Sequence, residues 1–474
     1  MARRLASGVT PEVVFRPVWE LAGLVRRRRV SPVALAETFL ARLESLGPRY
    51  NAVVTVTRAR ALAEARRAER EIAAGRWRGP LHGIPYGAKD LLATAGGIPT
   101  TWGAAPLRRQ RFDHDATVIR KLGAAGAVLV AKLAMVELAG GAGYRQPNAT
   151  FTGPGISPWA PDAWSGGSSS GSGSAVAAGL VPFALGSETW GSILSPAANC
   201  GVTGLRPTLG RVSRHGAMAL SWSLDKIGPL GLTADDCGLV LEAIAGPDPD
   251  DPAAAPRPYR HAGARALGQR RLRLGVVRAA VDAASPEVRT CFEASLAVLR
   301  RFARVTEVRL PPRPYEAIAR VILFAEAGSA LEELVERGAI AQLTAPEDRY
   351  LLYARDAILA KDYVRALRLR AIVAREIGAI LGRLDALVGP GRVAAAPPLD
   401  QEFRSASGGA ARDPLGALGN VAGLPAVAVP NGFTPRGLPT SLQFVGAPWA
   451  EATILAAARA YQARTDWHRR HPVT

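Results

Sequence analysis

Apolar residues recur every three or four positions through residues 17–47 and 56–75, with charges between them, a spacing that predicts helices. In SPVALAETFLARLESL, Ser31 and Pro32 supply the N-cap and first-turn pair that starts one of them. Beyond residue 76 the texture changes to short apolar runs broken by Gly and Pro: GPLHGIPYGAKD, GAVLVAKLAM, GLVPFALGSE and VTGLRPTLGRV. Such runs predict buried strands, and their alternation with helices such as 116–122 predicts an α/β core. Helical spacing returns over 287–303 and 315–383, where LEELVERG places a Gly after a last turn. DALVGPG, PAVAVPNGF and LPTSLQFVG then predict strands before a closing helix over 451–464.

No internal repeat interrupts this pattern. The Pro- and Arg-rich stretch 247–271 has strand-like segments on both sides, so it is expected to be an exposed excursion within one domain. At 474 residues, 48% hydrophobic and 21% charged, the chain has the composition of a large globular enzyme.

The formal net charge of +19 raises the question of nucleic acid. Only five lysines contribute (Lys89, Lys121, Lys132, Lys226 and Lys361), and the arginines are scattered apart from the run Arg26–Arg29. Without a reader motif, neither a nucleic-acid nor a membrane partner is expected. Three cysteines, Cys200, Cys237 and Cys291, show no CxxC or Cys/His spacing, so no metal and no disulfide framework is indicated. The N-terminus lacks the apolar core of a signal peptide, and no run of 18 apolar residues occurs; a cytoplasmic protein is expected.

Candidate chemistry gathers in WSGGSSSGSGSAVAAG, residues 164–179. A Gly/Ser run often serves as a linker, but this one passes directly into a small-residue helix and a strand. Gly167-Ser168-Ser169-Ser170-Gly171 matches the nucleophile-elbow pattern, which would make Ser169 the nucleophile; the loop-like sequence before it lacks the required strand. A third reading pairs a serine here with a neutral lysine. Such a lysine must drop about three pKa units, roughly 4 kcal/mol, through burial. Lys89 in HGIPYGAKD has the uncharged setting this needs, although a surface pair with Asp90 is the simpler fate of a lone lysine. Lys226 competes, because Ser223 to Lys226 fits S-x-x-K, but the companion motifs of those enzymes are absent.

The segment from Gly166 to Ser213, GGSSSGSGSAVAAGLVPFALGSETWGSILSPAANCGVTGLRPTLGRVS, resembles the core motif of the amidase signature family, serine hydrolases that cleave amides. GPLHGIPYGAKDLLATAGGIPTTWG upstream is similar to the family's lysine segment, and NVAGLPAVAVPNGF onward to its C-terminal closure. The resemblance implies a single large domain with a central mixed β-sheet of many strands covered by helices on both faces. It divides the chain into a helical part (1–75), a signature core (76–246), the exposed connection (247–271) and a helical substrate-cleft excursion with closure (272–474). It also implies a nucleophile at Ser192, a bridging serine at Ser168 after a cis Gly167–Ser168 bond, a base at Lys89, and an oxyanion and substrate loop over Thr189, Trp190 and Gly191. No cofactor is expected, and a monomer or homodimer acting on a small-molecule amide follows.

Several positions depart from the family pattern. Trp190 replaces a glycine, Glu188 an aspartate, Ser170 a glycine, and Leu194 an arginine that can brace the aspartate; Glu188 must therefore find another partner. Trp190 is expected to take an unstrained backbone and to wall the cleft. Ser172 is expected to help satisfy the first amides of the following helix. Ala134 and Val136 replace polar residues and make nearby contacts more apolar. The reaction expected is hydrolysis of a carboxylic amide C–N bond, with esters and carbamates as secondary substrates. Two alternatives stand beside it: an amidotransferase component supplying ammonia to a tRNA-dependent partner, and a noncatalytic binding protein on the same fold.

Overall fold

The computed structural model describes residues 13–141, 145–263, 270–403 and 413–473. Eleven strands form one sheet: β1 (Val53–Val56), β2 (Pro85–Lys89), β3 (Val128–Leu133), β4 (Phe183–Glu188), β5 (Thr203–Arg206), β6 (Lys226–Gly231), β7 (Leu272–Val277), β8 (Ala303–Val308), β9 (Ala386–Pro390), β10 (Ala426–Phe433) and β11 (Pro439–Val445). Their spatial order is β1-β3-β2-β4-β6-β5-β10-β11-β9-β7-β8. The sheet is mixed: β3, β2 and β4 run parallel, as do β9, β7 and β8, and antiparallel strands lie between these groups.

Alternation along the strands divides the core between the two faces of the sheet. Val427 and Val429 of β10 join one apolar cluster, while Ala426 and Ala428 join the other. Helices cover both faces of the central strands, while the edge strand β8 stays largely exposed. Among the described residues no helix is long and apolar enough to cross a membrane.

The helix over Pro32–Leu46 starts as expected, with the Ser31 hydroxyl accepting from the amides of Val33 (3.1 Å) and Ala34 (3.2 Å). Residues 17–47 form two helices, Val18–Arg26 and Pro32–Leu46, separated where the chain turns at Arg28, whose φ is 55°. Arg28 also caps the helix Arg58–Ala73 by donating to the carbonyls of Ile72 and Ala73.

The helical pattern over 315–383 breaks up. Tyr315–Ala330 and Ala360–Leu381 are long helices, and between them lie short helical turns separated near Gly338 and Pro346. Residues 247–263 run over the surface, tied down by Asp248 and Asp251, which accept from the Ser213 hydroxyl and the Arg214 amide; 264–269 lie outside the described residues.

Candidate active site

Parallel pairing of β2 with β4, Gly87 to Ala184 and Ala88 to Leu185, sets the ends of the two strands side by side. Lys89 closes β2, and Ser187 and Glu188 close β4. The serine cluster packs against the same strands through the start of the helix Ser170–Ala177. There a Cβ on Gly171 would stand 2.3 Å from the Ala52 carbonyl oxygen and 2.5 Å from the Ala134 nitrogen, so only glycine permits the approach. Two hydrogen bonds fix it, from the Gly171 amide to the Ala134 carbonyl (2.9 Å) and from the Val136 amide to that of Ser168 (3.0 Å). The Gly167–Ser168 peptide is cis.

These contacts bring the Lys89 Nζ to 2.7 Å from the Ser168 Oγ and 2.9 Å from the Ser187 Oγ. Lys89 is fully buried. Burial drives its ammonium down to about 7, against the opposing pull of Asp225 and Glu188. It makes no pair with Asp90, which faces Lys132 instead at 3.0 Å. A buried lysine whose close partners are hydroxyls can exist as the free amine near neutral pH.

Ser192 lines a cavity of about 250 Å³ and is 7% exposed. Its hydroxyl makes no hydrogen bond within the described residues, so the link from Ser168 to Ser192 is not formed here; such bonds commonly tighten in the substrate complex. The amides of Trp190, Gly191 and Ser192 likewise donate to no described group. The left-handed turn of this loop falls on Gly191, with φ of 87°, and not on Trp190, which lines the cavity with Thr189 and Ser192.

Glu188 finds its partner in Arg206, at 2.9 Å with both side chains fully buried. One carboxylate oxygen accepts from Arg206 and from Asn420 (3.0 Å). The other accepts from the amides of Ile193 and Leu194, each at 3.0 Å, where the helix Leu194–Cys200 begins. Burial opposes ionisation, but Arg206, Lys226 and these donors hold the carboxyl at about 2. The glutamate thus anchors the turn that carries Ser192.

Ser169, Ser172 and Ser174 tie the cluster to backbone carbonyls. Ser169 is buried and donates to the Ser187 carbonyl at 3.2 Å, which is incompatible with an exposed nucleophile. Ser172 donates to the Leu185 carbonyl at 2.9 Å, tying helix to strand rather than satisfying helix-start amides as its position suggested. The S-x-x-K pair is not assembled: Ser223 donates to Glu326 at 2.5 Å, and Lys226 to Asn420 at 2.7 Å.

Sequence reasoning missed Ser187, Arg206, Asn420 and Asp225. Asp225 accepts from the Thr189 hydroxyl at 2.6 Å and from the amides of Leu220 and Ser221, each at 2.8 Å. Burial pushes its carboxyl up, opposed by those same donors. Ser187, two residues before Thr189 in the signature segment, was the one with a local signal.

The mixed α/β sheet thus carries a buried lysine bonded to a serine behind a cis peptide, and a second serine that lines a cavity. The sequence profile of the Amidase family matches residues 34–455, and the chain belongs to that family. It is 38% identical to the glutamyl-tRNA(Gln) amidotransferase A-subunit of Chloroflexus aggregans, over 94% of this chain and 95% of that one. It superposes on the peptide amidase of Stenotrophomonas maltophilia with a TM-score of 0.84 and 33% identity, covering 96% and 98% of the two chains. On the glutamyl-tRNA(Gln) amidotransferase A-subunit of Thermotoga maritima the TM-score is 0.77 and the identity 27%, covering 96% of each.

Proposed function

We propose that the protein hydrolyses small carboxylic amides through an acyl-enzyme on Ser192, with Ser168 and Lys89 relaying protons. The observation that carries this reading is the 2.7 Å contact between Ser168 and a Lys89 amine that burial brings to about 7. The Ser192 Oγ attacks the carbonyl carbon while its proton passes to Ser168, whose own proton passes to the Lys89 Nζ. Negative charge develops on the carbonyl oxygen, where the amides of Trp190, Gly191 and Ser192 supply donors of a few kcal/mol each. The proton returns through Ser168 to the amide nitrogen, the C–N bond breaks and the amine departs. Water then attacks the acyl group by the same relay, releasing the carboxylic acid and restoring Ser192. A fluorophosphonate probe followed by peptide mapping tests the assignment. The adduct is expected on Ser192; an adduct on Ser169, or none, sinks it.

A second reading has specific support. The 38% identity to an amidotransferase component runs over nearly the whole of both chains, which favours a protein that releases ammonia for a partner. The higher TM-score with the peptide amidase favours a free-standing hydrolase. Amidase activity of the chain purified alone supports the first reading, and glutaminase activity that emerges only with a partner protein supports the second. A noncatalytic role would leave no reason for a fully buried lysine facing hydroxyls, since burying it costs stability.

A further inference from the structure

The cavity that holds Ser192 is walled by Ala139, Gly140, Leu220, Leu323 and Phe324, together with Thr189, Trp190 and Arg320. Arg320 is the one charged side chain in that described wall. It stands on the helix Tyr315–Ala330, three and four residues before Leu323 and Phe324, so all three project from one helix face. Its guanidinium carbon lies 5.9 Å from the centre of the Trp190 ring and 5.7 Å from that of Phe324. Contact with aromatic faces holds a guanidinium through its charge and leaves its N–H donors unused. Arg320 is exposed, and neither a hydrogen bond nor an ion pair joins it to any described residue, not even to Glu316 one helical turn earlier. Its neighbours differ: Arg313 pairs with Glu376 at 2.5 Å, and Glu326 is taken up by Ser221, Ser223 and Tyr363. Arg355, itself buried, places its guanidinium carbon 4.9 Å from the centre of the Phe324 ring, where Asp348 offsets its charge.

We propose that Arg320 is a specificity residue selecting amides that carry a carboxylate on the acyl side, a short chain away from the scissile carbonyl. The inference rests on the amidase reading above. Ser192 and Arg320 line the same cavity of about 250 Å³, so a substrate that reacts at Ser192 and fills the cavity meets the guanidinium. A carboxylate there meets a preformed planar fork, whereas an apolar chain leaves the guanidinium without an acceptor.

The test compares succinamate with its neutral isostere levulinamide, both read by ammonia release, in the wild type, Arg320→Met and Arg320→Lys. The wild type is expected to favour succinamate by about 10- to 100-fold in kcat/KM, mostly through KM. Arg320→Met is expected to bring the ratio within about threefold, and Arg320→Lys to retain part of it, because lysine keeps the charge but loses the fork. The melting temperature of each variant reports folding separately. A wild-type ratio near one, or a preference that survives in Arg320→Met, overturns the proposal. If neither amide is cleaved but Ser192 is labelled by fluorophosphonate, protection from labelling by the two amides reads the same ratio. Levulinamide turnover with Ser192 labelled and no preference removes only the Arg320 assignment. No label and no turnover removes the amidase reading and this inference together.

Discussion

The Arg206 guanidinium and the Glu188 carboxylate meet at 2.9 Å with no exposure of either side chain, and the same carboxylate holds the first amides of the helix behind Ser192. Removing one partner leaves an uncompensated buried charge, which costs about 3–5 kcal/mol. Glu188→Ala and Arg206→Ala are each expected to lower the urea midpoint accordingly, and the double variant to lose less than the sum. The Glu188 pKa falls from 4.5 to about 2 on folding, so its stabilisation is whole above about pH 4.5 and lost as pH falls toward 2. The acid limb of the wild-type stability curve is expected to be shallower in Glu188→Ala, as measured by thermal unfolding between pH 2 and 6.

Activity is expected to follow deprotonation of Lys89. The proposed relay needs the amine, so kcat/KM should rise about tenfold per pH unit below about 7 and level off above it. Lys89→Arg keeps a charge that cannot be shed, and its kcat is expected to fall by about 10²- to 10⁴-fold at every pH tested. A wild-type profile without a limb near 7 would remove Lys89 from the role of base.

The same shift makes a prediction about stability with the opposite sign to that of Glu188. A lysine lowered from 10.5 to about 7 by burial destabilises the fold, fully below about 7 and progressively less as pH rises toward 10.5. Lys89→Met removes that cost. Its advantage over the wild type in unfolding free energy is therefore expected to shrink by about 1.4 kcal/mol per pH unit between about 7 and 9, while its amidase activity is absent. An advantage independent of pH would mean that Lys89 keeps its ordinary pKa in the folded protein.

What the sequence made legible follows the strength of local signals. β4, β10 and β11 lie in apolar-rich segments punctuated by Gly and Pro and were foreseen. β6 was not, because Gly228 and Pro229 sit within it; Gly228 is required there, since a Cβ would stand 2.1 Å from the Leu205 carbonyl oxygen of the neighbouring strand. β1 lies inside a stretch otherwise read as helical, and β8 alternates at an exposed edge without the apolar run that marks a buried strand. At the site, Lys89 and Ser168 stand in hydrogen-bond contact although 79 residues apart in sequence, a separation only the family resemblance bridged. Arg206 and Asn420 reach Glu188 from 18 and 232 residues away, and nothing in their own segments pointed to it. Leu194 did point to a missing partner for Glu188, without saying which.

Two glycines near the proposed reaction centre should separate catalysis from folding. At Gly191 an added Cβ meets nothing within 4 Å, but φ of 87° is left-handed and costs a residue with a Cβ about 1–2 kcal/mol. Relief of that strain rotates the Trp190–Ser192 amides, so Gly191→Ala is expected to keep its fold, to lose about 1–2 kcal/mol in urea unfolding, and to drop kcat by about 10- to 10³-fold. At Gly171 the backbone is helical and the obstacle is steric, with the Ala52 carbonyl oxygen 2.3 Å from the new carbon. Gly171→Ala must push the helix Ser170–Ala177 off the sheet and carry Ser168 with it. It is expected to lower the melting temperature markedly, with activity lost in proportion to folded protein or beyond. If Gly191→Ala keeps wild-type kcat while folded, the Trp190–Ser192 amides are not the oxyanion donors.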